Sequence, residues 1–461
     1  MIHRENIYFI GIGGIGMSAL ARYFNQQGKK VAGYDRSTTT LTKQLQKEGV
    51  SITDFAEADA IPHPYRDASK TLVVYTPAVS SNNPMLVYFR EEGFECIKRA
   101  QALGLISKGM KTIAVAGAHG KTTVSSMIAH LLKSGGIKVN GLLGGISRDY
   151  GTNLLLDPEA EILVTEADEY DRSFLQLHPN QLVITSIDAD HLDIYEDEAD
   201  LKNTYNQLVG QINEKGFLFT KPSISAELEI PSGIQSRTYA LTGRSDIQAK
   251  NIRVEDGFFV FDFESERFAL HNVKCGLPGL HNVENAIVAM AVAFSQGVDV
   301  AQIKSSIASF HGVKRRFDVH LKTPEFVYID DYAHHPEEVK MLLQSVKELY
   351  PGKKITTIFQ PHLFSRTRDF AEDFARELGK SDDLILLEIY PAREEPIEGI
   401  TSLWLSKLIG KEGVNVCEKH QLMNILKGKE VEVLLTVGAG DIDTMIDPII
   451  NYYQVDVWIG S

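Results

Sequence analysis

Residues 116–123 read A-G-A-H-G-K-T-T: Ala116, Gly117, Ala118, His119, Gly120, Lys121, Thr122 and Thr123. A short apolar run, T-I-A-V-A at 112–116, precedes them, and a helical pattern follows. A strand that turns through small residues into a helix start gathers backbone N–H groups and the positive end of a helix dipole at one point, where a phosphate binds. Lys121 is placed to reach the terminal phosphates of a nucleoside triphosphate, and the Thr122 hydroxyl to serve Mg²⁺. The usual spacing puts a glycine where Val115 stands, so this loop is a shortened variant. The stretch sets the expected fold class, α/β with parallel sheets, because loops of this kind sit at the carboxyl ends of parallel strands.

The same grammar recurs on both sides. G-I-G-G-I-G at 11–16 follows an apolar run and opens a helix. Gly11, Gly13 and Gly16 fit GxGxxG, with Gly14 and Ile15 between them and Ser18 in the first turn. Asp35 stands 19 residues after Gly16 at the end of the next apolar run, where a carboxylate accepts from ribose hydroxyls. The motif leaves the ligand open, since NAD and a UDP-sugar both offer a diphosphate and a ribose. V-G-A-G-D at 437–441 is a third small-residue turn, read as a tight connection into the last helix rather than a ligand loop. Strand-like and helical patterns alternate almost throughout and restart at 112–116 and 326–329. This predicts three domains, 1–107, 108–312 and 313–461. Residues 223–275 are less regular and read as antiparallel strands or an insertion.

Two acidic clusters end apolar runs: E-A-D-E-Y-D at 166–171 and D-A-D-H-L-D at 188–193. At strand ends beside the lysine loop they offer oxygen ligands to a hard cation. D-D-Y-A-H-H-P at 330–336 and Q-P-H-L-F-S-R-T-R at 360–368 end two further runs. The histidine pair lacks the companion cysteines or HExxH spacing of a zinc site. Arg315 and Arg316 stand at the start of the third domain, where a guanidinium can meet transition-state charge on a phosphate.

Lys plus Arg number 47 and Asp plus Glu 61, a net charge of −14, which argues against nonspecific nucleic-acid binding. The longest apolar run, residues 286–294, is far short of the roughly 20 residues a bilayer needs, so no membrane insertion is expected. The polar start shows no secretory signal. Cys96, Cys275 and Cys417 are widely spaced and read as reduced thiols, consistent with a cytoplasmic protein. No protein partner is readable.

The motifs GIGGIGMSALA, GAHGKTT, EADEYD, IDADH, HNVENA, KRRFD, DDYAHHP and FQPHLFSRTRDF occur here in the order found in the Mur ligases. From about residue 5 to 441 the chain resembles that family. The resemblance implies an N-terminal Rossmann-like UDP-binding domain, a central P-loop-type ATPase domain and a C-terminal Rossmann-like domain that brings the amino acid. It implies ATP and Mg²⁺ as cofactors, UDP-N-acetylmuramate and L-alanine as substrates, and amide formation in cytoplasmic peptidoglycan synthesis. Residue by residue, Gly117 to Thr123 match the ATP loop, with Lys121 catalytic. Thr122, Glu166 and His191 match the metal positions. His281 and Asn285 match a nucleotide-contacting helix start, and Arg316 and Asp331 match residues that close on ATP. Tyr332, His334 and Arg366 match the surroundings of the incoming alanine, and His334 is the expected proton acceptor. Gly11 to Ser18, Asp35, Thr76 and Arg99 match the UDP-sugar side. Ala118 and Leu363 depart from the family pattern. A sister ligase attaching a recycled peptide to the same UDP-sugar is the alternative, but GIGGIGMS fits the alanine-adding member. An NAD-dependent dehydrogenase has no use for GKTT, and a noncatalytic ATP switch none for the DDYAHHP and QPHLFSRT clusters.

Overall fold

The computed structural model describes residues 3–187, 195–392 and 394–459. Three sheets carry the chain. The first is wholly parallel, in the order Ser51–Thr53, Lys30–Tyr34, Asn6–Ile10, Thr71–Tyr75, Glu95–Lys98. Its strands at 6–10 and 71–75 are apolar on both faces and fully buried in their centres, as a sheet covered by helices requires. The strand order reverses between these two, which opens a crevice at their carboxyl ends beside the helix Ile15–Gln26.

The second sheet contains the strands Gln235–Ala240, Phe217–Thr220, Pro179–Ile184, Lys111–Ala116, Ile162–Ala167, Val139–Leu142 and Leu154–Leu155, in that order. All these pairings are parallel except the last. The strand that leads into the lysine loop therefore lies between the strands ending at Ile184 and Ala167, which places both neighbours' end residues against the loop. After the short helix Pro222–Ser225, the segment 223–275 supplies the strand Gln235–Ala240 and then three neighbouring strands, Ile247–Glu255, Phe258–Ser265 and Ala269–Lys274. The third sheet runs Asp318–Lys322, Val327–Asp331, Val433–Val437, Ile355–Phe359, Asp383–Leu387, Asn415–Cys417. Only its first strand is antiparallel.

The chain forms two compact units. One runs to Lys250 and takes in Asp262–Val273 and Glu284–Phe310; the other comprises Asn251–Phe261, Lys274–Val283 and the chain from His311 onward. In the first unit a single apolar cluster joins Ile7, Phe9, Leu20 and Phe24 of the first sheet's layer to Leu142, Leu154 and Leu163 of the second sheet. These two sheets thus share a core, and the glycine loop is held against the second sheet by hydrophobic burial. Among the described residues, no helix is long and apolar enough to cross a membrane.

Candidate active site

The lysine loop is built by its neighbours. Gly120 caps the helix Lys121–Ser134 at φ 84°, a left-handed conformation that glycine adopts at no steric cost, and no side chain caps the first turn. With no acidic residue in that turn, the helix start keeps its N–H groups and positive dipole end for an anion. The Thr185 hydroxyl at the end of the adjacent strand donates to the carbonyls of Ala116 and His119, and the His119 N–H donates to the Ser186 hydroxyl (3.1 Å). A Cβ on Gly120 would come within 3.2 Å of the Asn285 amide oxygen, so Asn285 flanks the loop. Thr122 and Thr123 occupy the first turn, Thr123 buried.

Lys121 points back across its own loop. Its Nζ donates to the Gly117 carbonyl (2.7 Å) and to both oxygens of Glu169 (2.8 and 2.9 Å). Burial opposes the lysine's charge, but the Glu169 and Asp168 carboxylates outweigh it and hold its pKa above the ordinary value. Burial pushes the Glu169 carboxyl upward, against the pull of Lys121. The acidic run at 166–171 thus divides its labour. Glu166 accepts from the Gly144 N–H (2.9 Å), Asp168 pairs with Arg99 (3.1 Å), Glu169 with Lys121, and Asp171 with Lys98 (2.6 Å). The motif is visible in the sequence; the assignment of Glu169 to the loop lysine is not. It needs the one-turn geometry of residues 168–172, where Asp171 and Arg172 have φ of 55° and 51°. His191 and the cluster around it lie outside the described residues.

On the glycine-loop side a cavity of about 300 Å³ is lined by Gly14, Ile15, Gly16, Thr76, Arg99, Glu166 and Asp168, among others. A Cβ on Gly13 would lie 2.8 Å from the Asp35 carboxylate, and one on Gly16 2.7 Å from Arg99, so both glycines give room to those side chains. Asp35 accepts from the N–H groups of Gly13 (2.7 Å) and Ser37 (3.0 Å). The carboxylate expected at the ribose therefore also shapes the loop. Gly11 packs against Thr76, and Ser18 donates to the Ile15 carbonyl (2.9 Å).

The second unit carries the remaining predicted residues. Arg315 and Arg316 both lie over the Tyr332 ring, 5.1 and 5.0 Å from its centroid. Arg316 also faces Glu338 (3.6 Å). Arg315 is tied into the fold: it pairs with Asp330 (3.3 Å) and donates to the carbonyls of Gly438 (2.5 Å) and Gly440 (3.2 Å). The V-G-A-G-D turn thus turns carbonyls toward a guanidinium, the opposite of an anion cradle. Asp331 accepts from the N–H groups of Phe317 (2.7 Å) and Ala333 (2.8 Å), and burial raises its pKa to about 6 against the pull of Arg316. His335 caps the helix Pro336–Leu349, which leaves His334 as the histidine that faces the cluster. His281 packs beside Ser345 (3.4 Å), and burial lowers its pKa to about 4.

His334 Nδ1 lies 3.0 Å from the Tyr332 carbonyl, which can only accept, so the ring proton sits on Nδ1 and the lone pair on Nε2. Burial lowers its pKa to about 4, with Glu338 opposing and Arg366 assisting. Arg366 is therefore close enough to act on this ring. Leu363, which opens the helix Phe364–Asp369, has φ 69°, a strained conformation for a residue with a side chain. Between pH 4 and 6.5 the folded state holds His334 neutral while the unfolded state protonates it. The unfolded state binds more protons, and stability falls as pH falls through that window. On the order of 2 kcal/mol is lost from this group between pH 7 and pH 5. In denaturant titrations at the two pH values, His334→Asn should show a smaller loss than wild type by about that amount; equal losses would contradict the buried neutral imidazole.

A glycine-and-lysine loop beside one carboxylate-bearing strand end, a glycine-loop cavity on the same core, and a unit with arginines gathered on a tyrosine are the features of a nucleotide-using α/β enzyme of several domains. Comparison makes this specific. Residues 6–111 match the Mur ligase family catalytic domain, 115–293 the Mur ligase middle domain, and 315–440 the Mur ligase glutamate ligase domain. The UDP-N-acetylmuramate–L-alanine ligase of Parabacteroides distasonis is 46% identical over 96% of both chains. The crystal structure of the UDP-N-acetylmuramate–alanine ligase of Thermotoga maritima superposes with a TM-score of 0.82 at 29% identity, covering 98% of this chain and 99% of that one. A murein peptide ligase from Psychrobacter arcticus shares the fold, with a TM-score of 0.69 at 22% identity over 97% and 98% of the two chains. The chain belongs to the Mur ligase family.

Proposed function

We propose that the chain joins L-alanine to the carboxylate of UDP-N-acetylmuramate, with ATP converted to ADP and phosphate, in the cytoplasmic synthesis of peptidoglycan. The observation that carries this reading is the pairing of the lysine loop with the glycine-loop cavity across one shared core, in a chain 46% identical to a ligase of that name. The recycled-peptide alternative has weaker support, since the murein peptide ligase shares only the fold at 22% identity.

The chemistry follows from charge. A carboxylate is a poor acyl donor because its leaving group would be oxide. In the first step a muramoyl carboxylate oxygen bonds to the γ-phosphorus, the β,γ-bridging P–O bond breaks, and ADP leaves. Lys121, exchanging Glu169 for phosphate oxygens, offsets the charge that develops there, and Arg316 is the second cation proposed for that charge. In the second step the alanine nitrogen bonds to the acyl carbon, the acyl–phosphate C–O bond breaks, and phosphate leaves. His334 Nε2 is the proposed acceptor of the amine proton. The Thr122 hydroxyl and Glu166 carboxylate are hard oxygen donors that suit Mg²⁺, and the bound ion would neutralise part of the triphosphate charge. His281, Asn285 and Asp331 are proposed on the nucleotide, Asp35, Thr76 and Arg99 on the UDP-sugar, and Tyr332 and Arg366 on alanine. Domain boundaries near residues 108 and 313 accompany this reading. The test is phosphate release measured with ATP, UDP-N-acetylmuramate and each amino acid in turn. Release should require the UDP-sugar and be greatest with L-alanine; release driven instead by a tripeptide would favour the sister ligase.

A further inference from the structure

The hairpin at residues 143–153 touches both halves of the first unit's site. Its base is closed by the antiparallel pairing of Val139–Leu142 with Leu154–Leu155 and by the Leu143 N–H donating to the Asn153 carbonyl (2.9 Å). At one end the Gly144 N–H donates to Glu166, and a Cβ on Gly144 would lie 2.1 Å from that carboxylate. At the other end Asn153 is fully buried. Its Nδ2 donates to the Ile15 carbonyl (2.7 Å) and the Ser18 hydroxyl (3.2 Å), while its Oδ1 accepts from Arg22 Nη1 (2.6 Å). Arg22, itself 4% exposed, is anchored through Nε to Glu48 (2.8 Å). One side chain thus grips two successive turns of the helix that the glycine loop opens. The hairpin that carries it is fastened to the carboxylate beside the phosphate loop. The cavity of about 300 Å³ is lined from both sides, by residues 14–17 and by Leu143, Gly144 and Glu166.

We infer that Asn153 is a positioning residue: it fixes the glycine loop relative to Glu166, so that the diphosphate end of the UDP-sugar sits in one register with the phosphoryl group to be transferred. This role rests on the proposed function, because it takes the glycine loop as the UDP-sugar's holder. Asn153 itself is not among the residues that line the cavity. Its contribution is to remove a degree of freedom between two sites that must agree to within a fraction of an ångström.

The test compares Asn153→Ala and Asn153→Asp with wild type by calorimetric titration with UDP-N-acetylmuramate and, separately, a nonhydrolysable ATP analogue, together with KM values for all three substrates. Asp keeps the size and the acceptor for Arg22 but cannot donate to Ile15, so it carries the test if the alanine variant does not fold. Both should weaken UDP-N-acetylmuramate on the order of tenfold, the effect of losing two buried donors. The ATP and alanine constants should move less than about threefold. A fall in kcat no larger than the fall in the folded, UDP-sugar-binding fraction, with unchanged affinity in that fraction, would mean a merely structural residue and would overturn the inference. Wild-type protein that fails to bind UDP-N-acetylmuramate refutes the functional reading itself; wild type that binds it, with variants that bind equally well, refutes the positioning role alone.

Discussion

Lys121→Ala is expected to lower the rate of amide formation on the order of a thousandfold or more while leaving the protein folded. The ammonium sits at the start of a helix whose first turn no side chain caps, 2.7 Å from the Gly117 carbonyl. It is the one lysine or arginine in residues 116–123, and a contact to a transferring phosphoryl group is worth several kcal/mol of barrier. The folded state has its own interest in the residue. Glu169 is buried at 3% exposure against it, and removing one partner of such a pair leaves the other unpaired. Burial already pushes the Glu169 carboxyl upward, and the variant removes the lysine that opposes this push. The double variant Lys121→Met/Glu169→Gln removes both charges and separates the two effects: it should match wild type in its melting behaviour more closely than the single variant does, and be just as inactive. Turnover by either variant within tenfold of wild type would contradict the assignment of this loop to ATP.

The second large effect is expected at the amino acid. Arg366→Lys should raise the KM for L-alanine by tenfold or more and change the ATP and UDP-sugar constants much less. A guanidinium holds a carboxylate by two parallel hydrogen bonds, and an ammonium cannot reproduce that fork. Arg366 stands in the helix that follows the strained Leu363, and its charge adds to burial in lowering the His334 pKa, which places it near the proposed proton acceptor. Alanine's methyl group supplies little binding energy, so the carboxylate clamp carries most of the orientation. An ATP constant that shifted as far as the alanine constant would move Arg366 to the phosphate side.

Much of this was legible in the sequence because the motifs coincide with strand ends. The parallel order at 6–10, 30–34 and 71–75 follows from buried apolar runs bounded by turns, and the loops at 11–16 and 116–123 from glycines that local geometry demands. The partnerships were not legible. Nothing in E-A-D-E-Y-D tells which carboxylate meets Lys121, because that depends on the backward turn at 168–172. Arg315 and Arg316 are adjacent and chemically alike, yet one is bound to carbonyls of the last strand's turn and the other faces Glu338. Asn153 carries no motif at all; its importance is a matter of which helix happens to pack on it. Sequence spacing reports local geometry, whereas these contacts join residues far apart in the chain, such as Arg22 and Asn153.

Activation of the muramoyl carboxylate by phosphoryl transfer is the proposed core of the reaction, and oxygen labelling tests it directly. UDP-N-acetylmuramate carrying ¹⁸O in both oxygens of its muramoyl carboxylate is turned over with ATP and L-alanine, and the phosphate is analysed by mass. Each phosphate released is expected to carry one labelled oxygen, since the C–O bond of the acyl phosphate is the one that breaks. Unlabelled phosphate, or the label recovered in a nucleoside monophosphate, would contradict it.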